Sequence, residues 1–203
     1  MESKRNRRLI GLTGGISTGK STASKYLETN YKLQILDADI YAREAVKIGS
    51  EGLKAIASRY GESILLVDGS LNRQQLGNIV FKQPDERQWL EKQIHPYVRN
   101  TFVREINNSN ADMVIVVPLL FEAEMTDLVT EIWVVYCKPI QQLARLMERE
   151  SLTLEAAQAR TRSQMPLEEK CHRAHLVLDN SSNLESLFKQ IDAAILNPPL
   201  PRQ

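Results

Sequence analysis

At 203 residues, with 42% hydrophobic and 25% charged side chains, the chain is sized for one α/β domain with insertions and can bury a substantial core. A net charge of +1 gives no global reason to expect nucleic acid or a membrane as partner, and no apolar run reaches the length of a membrane span. Cys137 and Cys171 have no metal or redox spacing and are too few for a disulfide scaffold, so reduced thiols in a cytoplasmic protein are expected.

The N-terminal cluster Lys4, Arg5, Arg7 and Arg8 reads as a solvated tail before the first strand. Leu9 to Thr13 is a short apolar strand. It runs into Gly14, Gly15, Ile16, Ser17, Thr18, Gly19, Lys20 and Ser21, which fit the phosphate-binding pattern G-x-x-x-x-G-K-[ST]. Glycines let successive N–H groups converge on phosphate oxygens, and the helix that follows adds its N-terminal dipole. Lys20 is placed to reach the β- and γ-phosphates and Ser21 to hold Mg²⁺, with Thr22 completing the expected ATP-binding set. The G-x-G-x-x-G spacing of dinucleotide sites and of protein kinases is absent.

A first helix is predicted from Lys20 to Leu27 and a second strand from Leu33 to Leu36, ending at Asp37-Ala38-Asp39. One aspartate of that pair suits an N-cap; the other, beyond the carboxyl end of a strand, is a candidate for chemistry. Residues 50–110 are mainly helical, with a turn at Asp68-Gly69 and a break or kink at Pro96, and form an expected helical substrate subdomain. Asp112 to Val117 and Glu131 to Cys137 read as buried strands, and Pro139 opens the next helix. Residues 139–173 carry Arg145, Arg149, Arg160, Arg162, Lys170 and Arg173 and are an expected lid over ATP, with a helix capped by Thr153. His175 to Leu178 is a last strand, followed by a polar turn at Asn180 that could meet adenine or ribose. A closing helix has Leu184, Leu187, Phe188, Ile191 and Ile195 on one stripe, and a loose tail extends to Pro201. The core is then about 8–49, 111–138 and 174–196 of a single P-loop kinase-like α/β domain with a mainly parallel sheet.

Neither the N-K-x-D base-reading motif of guanine switches nor the L-S-G-G-Q signature of transporter ATPases is present, which favours a small-molecule kinase. Seven motifs in order carry a closer resemblance: Gly11 to Ile16; Asp37-Ala38-Asp39 with Arg43-Glu44; Asp68-Gly69 with Leu71 and Arg73; Ile94-His95-Pro96; Pro118-Leu119-Leu120-Phe121-Glu122; Gln164-Met165-Pro166 with Glu169-Lys170; and Asp179-Asn180. From about Leu9 to Ile195 the chain resembles the dephospho-coenzyme A kinase family. The resemblance implies ATP-dependent phosphorylation of the ribose 3′-hydroxyl of dephospho-coenzyme A, the last step of coenzyme A synthesis. It implies Asp39 as general base and Arg73 as a substrate-holding arginine. Arg145 and Arg149 both match the region of the lid arginine, and spacing does not choose between them. Arg43, His95, Leu120 and Glu122 fall in substrate-side motifs, His95 also fitting a buried helix-breaking position. A nucleoside or nucleotide kinase is the alternative, and an oligomeric state is left open.

Three positions depart from the family pattern. Ser17-Thr18 stands where Gly-Ser is common, and serine tolerates positive φ less readily. Val116 replaces an acidic residue, leaving magnesium to Ser21, water and Asp39 or Glu122. Ala174-His175 replaces Ala-Asp before the final strand, with an expected effect on lid closure.

Overall fold

The computed structural model describes residues 7–199, so Lys4 and Arg5 of the basic cluster and Pro201 of the tail lie outside the described residues. The strands are β1 (Leu9–Gly14), β2 (Gln34–Asp37), β3 (Met113–Val116), β4 (Glu131–Tyr136) and β5 (Leu176–Asp179). They form one sheet in the order β2-β3-β1-β4-β5, and β1 pairs in parallel with both β3 and β4, as β4 does with β5. The helices are α1 (Lys20–Tyr31), α2 (Ala38–Glu44), α3 (Glu51–Tyr60), α4 (Arg73–Lys82), α5 (Pro84–Asn107), α6 (Pro139–Glu150), α7 (Leu154–Arg162), α8 (Leu167–Arg173) and α9 (Leu184–Leu196). This is the α/β architecture with a mainly parallel sheet that the strand patterns predict. Among the described residues no helix is long and apolar enough to cross a membrane.

Two compact units result, one from the chain up to Leu36 together with the chain from Ser109 onward, the other Asp37–Asn108. In the first, the near-continuous apolar runs of β3 and β4 are buried on both faces, as a central parallel strand requires. Ile10, Leu12, Val114, Trp133 and Val135 meet Ala23 and Leu27 of α1 and Leu187 and Ile191 of α9 in one core. In the second, Val46, Leu53, Ile56, Ile64, Leu71 and Leu76 form a separate core, flanked by Trp89, Leu90 and Ile94 of α5.

Pro96 does not break α5, which runs unbroken from Pro84 to Asn107. A proline in a helix removes one donor and crowds the carbonyl four residues earlier. Here both Pro96 and Lys92, which carries that carbonyl, lie on the exposed side of the helix, where water can serve the carbonyl. Thr153 caps α7 as its spacing predicts, its hydroxyl accepting the Ala156 N–H.

Arg8 does not belong to a solvated tail as its place in the basic cluster suggests: it is buried, and its charge ties the start of β1 to α9. Arg8 donates to the Glu131 carboxylate through Nε at 2.6 Å and Nη2 at 3.1 Å, and to the carbonyls of Ala194 and Ile195 near the end of α9. Trp133 Nε1 donates to the same carboxylate at 2.8 Å. Satisfied in this way the pair is tolerable, but removing one partner strands a buried charge. Replacing Arg8 by Met is therefore expected to lower unfolding stability by about 3–5 kcal/mol in urea denaturation. A loss below about 1 kcal/mol would show the pair to be dispensable.

Candidate active site

The phosphate loop leaves β1 at its carboxyl end and turns into α1 with two glycines in the left-handed half of φ space. Gly14 has φ +148° and Gly19 φ +109°, and a Cβ on Gly19 would lie 2.2 Å from the Asn180 side-chain nitrogen. α1 has no side-chain cap and no acidic residue in its first turn, so its first N–H groups have no carboxylate to serve them. Such an end is a ready anion site. Lys20 folds back over the loop, donating through Nζ to the Gly15 carbonyl at 2.6 Å and to that of Gly14 at 3.3 Å. Ser21 is exposed at the first turn of α1.

Three side-chain amides hold the loop through its backbone. Gln142 Nε2 donates to the Ile16 carbonyl at 2.9 Å, Gln164 Oε1 accepts the Ile16 N–H at 3.0 Å, and Asn180 Nδ2 donates to the Thr18 carbonyl at 2.8 Å. Thr18 adds a local bond from its hydroxyl to Gly15 O at 3.0 Å. Asn180 is buried, so in this structure its side chain serves the loop, while its carbonyl accepts from Arg145 Nη2 at 3.1 Å.

Arg145 and Arg149 share a helix face but not a position. Arg145 lies against the Asn180 turn and also faces the buried Cys137 thiol; burial pushes that thiol up, with the nearby guanidinium opposing. Arg149 is exposed and pairs with Glu150 at 2.5 Å, and Arg160 pairs with the same carboxylate. Arg173 stacks over the Phe121 ring at 4.4 Å. Lys170 is the exception among these basic residues. It is fully buried, donating to Pro118 O and to Glu122 Oε1, each at 2.9 Å.

That contact defines the place of Glu122. The carboxylate also accepts the Met165 N–H at 2.9 Å, so it holds the segment between α7 and α8. Leu120 is fully buried, with Cδ2 3.1 Å from where a Cβ on Gly11 would stand. Val116 is buried at the end of β3 and offers no oxygen. His175 Nδ1 accepts the Ile132 N–H at 3.0 Å while the His175 backbone N–H donates to Ile132 O at 2.9 Å, so this residue belongs to the β4–β5 pairing.

In the second unit, Asp37 is the N-cap of α2, its carboxylate accepting the Asp39 N–H at 2.8 Å. Asp39 is exposed and lines a cavity of about 330 Å³ together with Arg43 and Arg73. The remaining wall is apolar: Ala42, Val46, Leu71, Leu76, Val80, Leu90 and Ile94. Arg73 Nη2 approaches the Arg43 carbonyl at 3.4 Å. One carboxylate and two guanidiniums at the rim of an apolar cavity suit a ligand with an anionic part and an extended apolar part. His95, on α5, is half-buried and is not part of that wall.

Gln142 was invisible to motif reading, although a signal exists. It sits four residues before Leu146 on the buried face of α6, where a polar residue needs a partner. Gln164 lies within the Gln164-Met165-Pro166 motif, and its partner, the Ile16 N–H, is set by the fold.

Among families, the model for dephospho-CoA kinase matches residues 8–186. The chain belongs to the dephospho-CoA kinase family. A dephospho-CoA kinase of Trichormus variabilis is 60% identical over 190 residues, covering 93% of this chain and 97% of that protein. A crystal structure from Thermus thermophilus has a TM-score of 0.78 at 33% identity and covers 96% of this chain and 99% of its own. The dephospho-CoA kinase from Campylobacter jejuni has a TM-score of 0.70 at 26% identity, covering 94% and 96%. Membership in this family makes the protein a kinase.

Ser17 carries the strain in the loop. Its φ is +58°, and its buried hydroxyl oxygen has no hydrogen-bond partner among the described residues. Both features oppose folding, by about 1 kcal/mol each. Part of that gain is lost to the extra freedom of glycine in the unfolded chain. Ser17→Gly is expected to stabilise the protein by about 1 kcal/mol, read as a rise of about 2–4 °C in melting temperature. A lower melting temperature would mean that the hydroxyl has a partner in solution.

Proposed function

We propose that the protein transfers the γ-phosphoryl group of ATP to the ribose 3′-hydroxyl of dephospho-coenzyme A, giving coenzyme A and ADP in the cytoplasm. The observation that carries this reading is the pairing of two features within one family: an uncapped phosphate loop with Lys20 folded over it, and an apolar cavity rimmed by Asp39, Arg43 and Arg73.

The loop amides and Lys20 hold the β- and γ-phosphates, displacing the lysine from the Gly14 and Gly15 carbonyls it now caps. The Mg²⁺ site is expected to draw mainly on the nucleotide and water. No group of three His, Cys, Asp or Glu side chains among the described residues could bind a metal, and the Val116 side chain supplies no oxygen. The exposed Ser21 hydroxyl would hold the ion, with phosphate oxygens and water supplying the other donors that this reluctantly dehydrated cation takes, while Glu122 is already engaged by Lys170 and the Met165 N–H. When bound, the ion neutralises charge on the phosphates.

In the acceptor cavity the arginines hold the anionic part of dephospho-coenzyme A and the apolar wall takes its extended arm. Asp39 accepts the proton of the 3′-hydroxyl as the oxygen attacks the γ-phosphorus, the Pγ–O bond to ADP breaking as the new P–O bond forms. Asp37 is set apart from Asp39 by its capping bond, one carboxylate oxygen accepting the Asp39 N–H at the start of α2. The transition state is loose, so positioning and charge count for more than the strength of the base. Arg145, beside the Asn180 turn, is the better placed of the two candidate arginines to stabilise that charge; Arg149 is paired with Glu150.

A coupled assay with ATP, Mg²⁺ and dephospho-coenzyme A tests the reading. ADP formation is expected with this acceptor and not with AMP, CMP or nucleosides; no ADP above the acceptor-free rate would reject it. Asp39→Asn is expected to bind ATP as the parent does and to turn over at least about a hundredfold more slowly, a normal share for a general base. Near-normal turnover would remove Asp39 from that role.

A further inference from the structure

Lys170 is entirely buried, unlike the other basic residues of segment 139–173. An apolar side chain of similar length commonly fills such a place with no loss of stability, because a buried charge is costly even when paired. Stability alone therefore does not explain a lysine here. Its contacts do.

Those contacts form a circuit that begins and ends on the phosphate loop. Lys170 Nζ donates to Pro118 O at 2.9 Å. The same carbonyl accepts, at 3.2 Å, the hydroxyl of Thr13, the residue before the first glycine of the loop. Nζ also pairs with Glu122 Oε1 at 2.9 Å, and that oxygen accepts the Met165 N–H at 2.9 Å. One residue back, Gln164 Oε1 accepts the Ile16 N–H at 3.0 Å. The ammonium is thus fixed to β1 on one side and, through Glu122, to the backbone beside Gln164 on the other. The Glu122 side chain is 25% exposed, so without the ammonium water competes for its carboxylate and the Met165 anchor loosens.

We propose that Lys170 is a positioning residue for nucleotide binding: through Glu122, Met165 and Gln164 it holds the Ile16 N–H, and so the Gly15–Ile16 peptide, in the orientation of the pre-formed loop. Gln164 acts through its oxygen on the backbone, and no contact with phosphate is required of it. The proposal rests on the loop being the nucleotide site.

The test is a double-variant cycle read by calorimetric titration of the full chain with ADP and Mg²⁺, using the parent, Lys170→Met, Gln164→Ala and the two combined. Lys170→Met is expected to weaken ADP binding roughly fivefold, the worth of about one hydrogen bond. In the Gln164→Ala background the same change is expected to cost less than about twofold, because the path to Ile16 is already cut. Glu122→Gln keeps the shape of the partner and removes its charge. It is expected to show the same dependence on Gln164, which decides the proposal even where Lys170→Met does not fold. In turnover, Lys170→Met is expected to raise KM for ATP by the same factor with kcat within about twofold of the parent, the pattern of lost ground-state binding. Unchanged ADP affinity in both Lys170→Met and Glu122→Gln would overturn the proposal and leave the pair a structural element only. Equal losses with and without Gln164 would also overturn it, since the effect would then bypass Ile16. A parent protein that does not bind ADP would reject the nucleotide reading of the loop itself, and this proposal with it.

Discussion

Carboxamides from Gln142, Gln164 and Asn180 grip the backbone of the phosphate loop at Ile16 and Thr18, and the chemistry of the protein depends on that grip. An anion site made of backbone N–H groups works only if those groups already converge before the anion arrives, since ordering a flexible turn on binding would consume much of the binding energy. Glycine supplies the dihedral angles at Gly14 and Gly19 but no rigidity. Rigidity comes from side chains more than a hundred residues away in sequence, each satisfying one peptide group of the loop. Asn180 also fills the space above Gly19 that a Cβ would need, so the glycine and the asparagine require each other.

Parallel topology explains how such distant residues meet. The loop follows β1, the Pro118–Glu122 segment follows β3, Cys137 and α6 follow β4, and Asn180 follows β5. All leave the sheet at the carboxyl ends of its strands, the edge where open α/β sheets gather their ligands. Pro118 O is a junction there, accepting both the Thr13 hydroxyl at 3.2 Å and the Lys170 ammonium at 2.9 Å. The buried Arg8–Glu131 pair works at the opposite end of β1 and β4, where it secures α9 and leaves the site undisturbed.

What the sequence made legible, and what it did not, divides along a physical line. The β1–loop–α1 unit, the buried strands and the cap at Thr153 follow from local rules of periodicity, dihedral preference and capping, which also require a cap at Asp37 or Asp39 without choosing Asp37. The continuous α5 did not, because whether a proline breaks a helix depends on whether water can reach the freed carbonyl, a tertiary fact. The site shows the same division. Lys20 and Ser21 are set by a contiguous motif, and Asp39, Arg43 and Arg73 were named from ordered motifs and share one cavity. Lys170 looked like one more lid cation and is instead entirely buried, because its partners, Pro118 O and Glu122, come from a segment about fifty residues earlier. Ser17 was recognised as a departure from a glycine, and its positive φ and orphaned hydroxyl are the physical form of that departure.

The claim that distant carboxamides pre-form the phosphate loop is tested most directly at Asn180, whose only side-chain bond to the loop is the one to Thr18 O. ADP affinity with Mg²⁺ should be measured for the parent and for Asn180→Ala, with circular dichroism showing the fold retained. Pre-formation predicts that the variant binds ADP roughly tenfold more weakly, the loss of one hydrogen bond together with a carbonyl left unserved. Equal affinity in the two proteins would contradict it and would mean that the glycines and the bound phosphate shape the loop by themselves.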